Sequence, residues 1–544
     1  MGQGAALKRR DFLAASALPL LGCKEPTHVE GGFAGANHER GHLLRPDETG
    51  RARAWPAPSV TRRTRVLIAG GGVAGLAAAR ALRLCGMQDF ALLELEDQAG
   101  GNSRAGVVSG VPCPLGAHYL PVPGDAARDV QDLLEEFSLR QRVAGRWVYD
   151  ERHLCHSPQE RLFINGQWQE GLLPLQDAGA AVLAEYRRFA VLVQQASSAA
   201  AFPIPVAGAS LAPQHRALDA VTFKAWLDQQ QLTSAPLRWY LDYCCRDDYG
   251  AGLDTVSAWA GIHYFASRHG FQAPGEAPSA EREAGVLTWP EGNGWLTRQL
   301  AAPLGERLYA GRTVIRVAVG RHGVEVDAFN AATQVVERWQ ADQCILAMPL
   351  FVAARVVENP PPALREAAGQ LRYAPWLVAN LHIKTALHDR PGAAPSWDNV
   401  IYGGDATDTA EQAGLGYVDA MHQSLQAVPG ATVLTYYRAF GIEPAGRKTL
   451  YEKPWTHWRD SVLAELSVPH PDLPGKVTRM DVMRYGHAMS TPVPGVRNSA
   501  ALQALQRPLQ APWQRLHFAH GDLSGYSVFE EAFTQGHRRG LGLG

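Results

Sequence analysis

A chain of 544 residues, 46 % hydrophobic and 19 % charged, is too long for one ordinary core and suits two domains. With 52 basic against 53 acidic side chains it has no excess of positive charge, so no nucleic-acid partner is expected. Its seven cysteines show no framework spacing: Cys85 falls at a helix end, Cys344 in a strand, and Cys244 and Cys245 are adjacent, so they read as core residues.

The first segment, MGQGAALKRRDFLAASALPLLGCKE, carries Arg9-Arg10 before Asp11-Phe12-Leu13, an apolar run to Leu21, and then Leu20-Leu21-Gly22-Cys23. This is the pattern of a twin-arginine signal that ends in a lipobox-like cleavage site. The run from Phe12 to Gly22 is about half the ~20 residues that a membrane-spanning helix needs. Residues 1–22 are therefore expected to engage the twin-arginine translocation machinery and to place the protein on the periplasmic side. Acylation of Cys23 would add a membrane lipid anchor, each buried CH₂ contributing about 0.8 kcal/mol; an ordinary signal with a chance cysteine is the alternative. Loss of residues 1–22 takes the formal charge from −1 to −3. Residues 23–60, with Gly31, Gly32, Pro46, Pro56 and Pro58, read as a linker or an arm packed on the domain that follows.

From Arg65 the chain reads RVLIAGGGVAGLAAARALRLCGMQDFALLELEDQAGG. Val66–Ala69 is a short apolar strand of the kind buried in a parallel sheet, and it runs into Gly70, Gly72 and Gly75 in GxGxxG spacing. Gly70 permits the tight turn, Gly72 lets the backbone approach a pyrophosphate, and Gly75 lets the next helix sit close on the strand. That helix, predicted from Val73 and Ala74 to about Leu84, points the positive end of its dipole at the phosphates. A second strand, Phe90–Leu93, ends on Glu94, 19 residues after Gly75, where a carboxylate accepts hydrogen bonds from a ribose diol.

The stretch LELEDQAGGNSRAG resembles the second glycine-rich segment of the flavin amine oxidase, protoporphyrinogen oxidase and phytoene desaturase superfamily. The resemblance continues in pieces to Gly536. It implies FAD as cofactor, with Gly100 and Gly101 passing its pyrophosphate. The family arginine is replaced by Asn102, with Arg104 two residues on as a substitute cation. PLGAHYLP resembles the segment beside the flavin ring and adds Gly116, Ala117 and His118. WPEGNGWLTRQLA, Trp289 to Ala301, resembles the turn and helix before the second FAD block. The hairpin pattern after Gly311, with its turn at Arg321 to Gly323, implies Val314 beside the adenine, and ADQCILAMPL reads as a return strand. LHFAHGDLSGYSVFEEAFTQGHRRG resembles the C-terminal FAD motif, implying Gly521 and Asp522 at the ribityl chain and a helix from about Phe529. It holds no cysteine, so no cysteinyl flavin link is expected.

The resemblance implies an α/β fold in which a Rossmann-like FAD-binding domain (61–150, 286–348 and 491–544) interleaves with an α+β substrate domain (151–285 and 349–490). Within the latter, Leu172 to Gln195 is a helical pattern, Asp219 and Thr222 precede a capped helix, and Asn380 to Lys384 and Val433 to Arg438 read as strands. Phe202 to Pro213 reads as an uncharged surface or interdomain loop. His153, Cys155 and His156, or His38 and His42, have metal-like spacing, and chance surface histidines explain it better.

No second nucleotide fold is visible, so the reductant is expected to be a small organic substrate. The implied reaction transfers a hydride from an amine or related molecule to flavin N5, with reoxidation by oxygen or a quinone-type acceptor. Two alternatives stay open: a desaturase, isomerase or porphyrinogen-type oxidase acting on an apolar membrane-derived substrate, and a flavin-bound accessory protein without turnover. Alignment places Asn380 where many amine oxidases keep a lysine. Tyr526 falls where an aromatic-cage residue would sit, and His487 is a candidate acid or base near neutral pH.

Overall fold

The computed structural model describes residues 28–46, 53–155, 159–268, 270–275, 285–388, 390–403, 414–422, 424 and 428–544. The signal pattern, with Arg9, Arg10 and Cys23, and His156 of the metal-like cluster lie outside the described residues. Among the described residues no group of His, Cys, Asp and Glu is placed to hold a metal, and no helix is long and apolar enough to cross a membrane.

Two sheets organise the molecule. The first has seven strands, with Leu308–Tyr309, Phe90–Leu93, Val60–Ala69 and Val335–Leu346 side by side and parallel. The antiparallel hairpin Arg312–Val319 and Val324–Asn330 extends it, and Leu516–Phe518 joins parallel to Val335–Leu346. The short apolar strands are buried on both faces, as parallel strands between helices must be. Val60–Ala69 starts six residues earlier than the apolar pattern predicts. Its first half is made of Arg and Thr after Val60 and pairs with Glu337–Ala341 near the surface, where polar side chains are tolerated.

Helix Val73–Leu84 lies against helix Phe529–Leu541 so closely that a Cβ on Gly536 would stand 1.9 Å from the Ala74 carbonyl oxygen. The contact brings the chain's last helix beside the first glycine turn.

The second sheet has eight strands, in the order Glu30–Phe33, Val477–Thr491, Arg372–Ile383, Thr432–Ala439, Tyr417–Asp419, Asp398–Ile401, Glu160–Ile164 and Gln167–Glu170. Helices Ala235–Tyr249 and Ala258–Ala266 pack with it in one apolar cluster that contains Tyr249 and Trp259.

Several expectations are corrected here. The described part of the segment 23–60 does not pack on the nucleotide domain alone, because Glu30–Phe33 adds a parallel edge strand to the second sheet. The long helix begins at Ala180, after Pro174 and Gly179, and runs to Ala199. The loop from Phe202 takes the interdomain reading of the two expected: Phe202, Val206 and Ala207 are buried while Gly208 and Ser210 stay exposed, Glu531 accepts from the Val206 N–H, and Arg538 donates to the Ala207 carbonyl. Cys85, at the helix end, is exposed. The predicted capped helix forms as Phe223–Gln229, with the Thr222 hydroxyl accepting from the Ala225 N–H.

Candidate active site

One cavity of about 460 Å³ runs from the first glycine turn to the second sheet. At its nucleotide end the backbone itself is the binding surface. Gly70, at φ +114°, would drive a Cβ to 2.3 Å from the Ala347 carbonyl oxygen, and one on Gly75 would meet the Gly70 oxygen at 1.9 Å. Gly72 and Gly101 face each other, a Cβ on Gly101 standing 3.1 Å from the Gly72 Cα. A side chain at either would fill the passage. Glu94 is buried, its Oε2 accepting from the Gly71 N–H (2.7 Å) and its Oε1 from the Glu96 N–H (2.8 Å). Burial pushes its carboxyl up, while these two donors oppose the shift. Gly71 escaped sequence reasoning; a Cβ there would sit 2.8 Å from Glu94 Oε2, so its signal is the third glycine of the GGG run.

Midway, Asp522 is fully buried at the start of a short 3-10 turn. Its Oδ2 accepts from the Leu350 N–H (2.9 Å) and the Tyr373 hydroxyl (2.6 Å), whereas Oδ1 has no hydrogen-bond donor among the described residues; its neighbour at 3.2 Å, His520 Nδ1, itself accepts from the Asp522 N–H. Burial alone would raise this carboxyl, but His520, Tyr373 and the Leu350 N–H hold it below the usual carboxylate range. Across from it, the Tyr485 and Tyr437 hydroxyls donate to the Leu115 and Gly116 carbonyls (2.7 and 2.9 Å) and fix the turn that presents His118. The His118 ring stacks on Tyr437 at 4.5 Å. Burial lowers His118 to about 3 and His487 to about 4, so both imidazoles are neutral at pH 7.

The far wall is acidic and aromatic. Helix Ala235–Tyr249 brings Asp247 and Asp248 to the cavity, and the last helix brings Glu530. Asp248 pairs with Arg268 at 2.9 Å, but Asp247 and Glu530 have no ion pair among the described residues. Burial pushes each up to about 7, with the neighbouring Asp248 adding to the shift of Asp247. Trp376, Tyr437 and Tyr485 line the same cavity.

The sequence family of flavin containing amine oxidoreductases matches residues 73–539, most of the chain. The protein belongs to that family. Over 344 residues it is 26 % identical to a Mycobacterium tuberculosis protein named as a putative flavin-containing monoamine oxidase, covering 63 % of this chain and 67 % of that one. Over 159 residues it is 31 % identical to an L-amino acid dehydrogenase of Synechocystis, covering 29 % of this chain and about a third (31 %) of that protein's length. In fold it is similar to putrescine oxidase solved with putrescine, with TM-score 0.63, 18 % identity, and coverage of 88 % of this chain and 98 % of that one. That likeness shows the two-domain α/β fold of FAD-dependent amine oxidases.

The cofactor of this flavin amine oxidoreductase is FAD, and the residues fit it. The facing glycines leave a channel without side chains, and Asp522 Oδ1 is a buried acceptor in need of a donor. Gly70, Gly72, Val73, Ala74, Glu94, Gly100, Gly101, Asn102, Gly116, Ala117, His118, Val314, His487, Gly521 and Asp522 all line the one cavity. Gly75 lies beneath the turn.

Besides Gly75, three site residues named from the sequence do not line it. Arg104 donates to the Gly101 carbonyl (3.0 Å) and pairs with Glu96 (3.5 Å), so it braces the second glycine loop. Asn380 is fully buried and donates to the Pro114 carbonyl (2.9 Å); its strand presents Trp376 and Val378 to the cavity instead. Tyr526 donates to Glu531 (2.7 Å) within the apolar cluster, and after Asp522 the chain returns to the cavity at Ser527. Neither Asn380 nor Tyr526 is placed to touch a substrate. The acids Asp247, Asp248 and Glu530 went unnoticed, although two adjacent aspartates at the end of an otherwise largely apolar helix are a visible signal.

Proposed function

We propose that this enzyme oxidises a small cationic amine, removing a hydride from the carbon beside nitrogen and a proton from the nitrogen to leave a protonated imine. Bound FAD supplies the two-electron acceptor. The observation that carries the reading is the wall itself: Asp247 and Glu530 have no ion pair of their own among the described residues, the nearby Arg268 being paired with Asp248, and they line a cavity that Trp376 and Tyr437 also line. Buried carboxylates are costly unless paired, and a substrate ammonium is the group that pairs them. Aromatic faces favour the same cation. Neutral His118 and His487 add no repelling charge and retain an acceptor nitrogen for a proton. A purely apolar substrate would leave these carboxylates desolvated and unpaired, which weighs against the desaturase or isomerase alternative.

The pH dependence follows from the two acids. They hold an ammonium only when ionised, so KM for an amine is expected to fall as pH rises through about 7, until the amine itself deprotonates. The sign for stability is opposite. Because their folded pKa lies above the ordinary carboxylate value of about 4, the folded state binds more protons between about 4 and 7. Their contribution to stability is full below that window and is lost as pH rises through it. Thermal melts of substrate-free protein across this range check the sign, and a melting point that climbs steadily toward pH 8 would count against it.

Export belongs to the same reading. It rests on the Arg9-Arg10 pattern and on the need of a flavoprotein to acquire its cofactor before translocation. Replacing Arg9 and Arg10 with lysines is expected to retain the flavoprotein in the cytoplasmic fraction. An unchanged periplasmic fraction would remove the twin-arginine assignment.

A further inference from the structure

Residues 28–46 lie outside the part of the chain that matches the family, which starts at residue 73, yet Leu44 lines the cofactor cavity. The segment is fixed at both ends to elements that build that cavity. At its start, Glu30–Phe33 pairs with Val477–Thr491, the strand that also supplies Tyr485, His487 and Met489 to the cavity. That pairing is tight: Gly31, at φ +132°, would carry a Cβ to 1.9 Å from the Met480 carbonyl oxygen. Phe33 lies under the Arg484 guanidinium at 3.5 Å. Further on, the Asn37 N–H (2.9 Å) and Nδ2 (2.6 Å) donate to Glu96, and Arg40 donates to the Leu95 carbonyl (2.9 Å) and pairs with Asp97 (2.8 Å). Glu96 in turn gives its own N–H to Glu94, the carboxylate at the nucleotide end.

Between these anchors few apolar groups of the segment are buried. Val29 is its one buried hydrophobic residue among those described, Leu44 packs partly buried against the core of the first sheet, and the rings of His38 and His42 lie on Tyr451. A polar cavity of about 630 Å³, lined by Phe33–Glu39 and Glu96–Gln98, lies beside the hydrogen bonds from Asn37 to Glu96. A segment held by discrete hydrogen bonds, one strand edge and a few partly buried contacts can lift without opening the core.

We propose that residues 28–46 are a clasp across the adenosine side of the cavity, which seats after FAD enters and slows its release. The clasp acts on cofactor retention and leaves the substrate wall of Asp247 and Glu530 untouched, so its test does not depend on the substrate. FAD release from the full-length holoenzyme is followed by the recovery of free-flavin fluorescence after dilution. The triple variant Gly31→Val, Asn37→Ala and Arg40→Ala is expected to release FAD at least tenfold faster, with the circular dichroism of the folded protein retained. If the valine prevents folding, Asn37→Ala with Arg40→Ala alone is expected to accelerate release threefold or more. Release within twofold of the parent rate in the folded variant carrying the most of these changes overturns the clasp.

Discussion

Asp522→Ala is expected to yield a protein that no longer retains FAD on purification. Asp522 Oδ2 accepts from both the Leu350 N–H and the Tyr373 hydroxyl, and Oδ1 stands ready for a donor from the cofactor. Truncation leaves two buried donors unpaired, at about 1–3 kcal/mol each, and removes a charge-assisted bond to the cofactor of about 1.5–3 kcal/mol. The second loss alone corresponds to about 10- to 150-fold in affinity. Asp522→Asn can keep both donors on an amide oxygen at the Oδ2 position but puts an NH2 where Oδ1 would accept, so it should spare the apoprotein and still weaken flavin retention. Flavin content per chain and the melting point of the apoprotein report the two effects separately. Full flavin occupancy in Asp522→Ala would refute the assignment of this carboxylate to the cofactor.

The second large effect concerns the acidic wall. Asp247→Asn preserves shape and removes the charge proposed to meet the substrate ammonium, so kcat/KM for amines is expected to fall about 10- to 150-fold, from a charged hydrogen bond of about 1.5–3 kcal/mol. The same change should stabilise the folded protein above pH 7, because burial makes the Asp247 carboxylate unfavourable there. Below about pH 4, where the carboxyl is protonated in both states, the two proteins should melt alike. Activity lost with stability gained is the signature of a charged group kept for function. A variant with unchanged kcat/KM, or one less stable above pH 7, would show that Asp247 serves the fold instead.

What could be read from the chain divides along a physical line. The turn from Gly70 to Gly75, helix Val73–Leu84 and strand Phe90–Leu93 with Glu94 were legible because strand, turn and helix are contiguous and each glycine answers a local backbone demand. Asp522 was legible for the same reason, as part of a short turn before a helix. The acidic wall was not, since Asp247 reaches the cavity only through the packing of Ala235–Tyr249 against a sheet whose strands come from distant parts of the chain. Asn380 shows the limit of periodicity: alternation puts it on the same face as Trp376 and Val378, but nothing local says how far along the strand the cavity ends. Tyr526 misses by one residue, because the turn at Gly525 directs it into the apolar cluster and gives Ser527 to the cavity. The edge strand at Glu30 was hidden because EGGF has little strand propensity by itself; its partner, Val477–Thr491, supplies the pairing.

The most direct test of the central claim is anaerobic mixing of the FAD-loaded enzyme with a series of small amines and their uncharged isosteres, followed through the visible flavin band. Proposed amine oxidation predicts bleaching by at least one protonated amine, none by its uncharged isostere, and a slower, weaker response in Asp247→Asn. Bleaching by polyenes or other uncharged substrates while every amine leaves the band intact would contradict it.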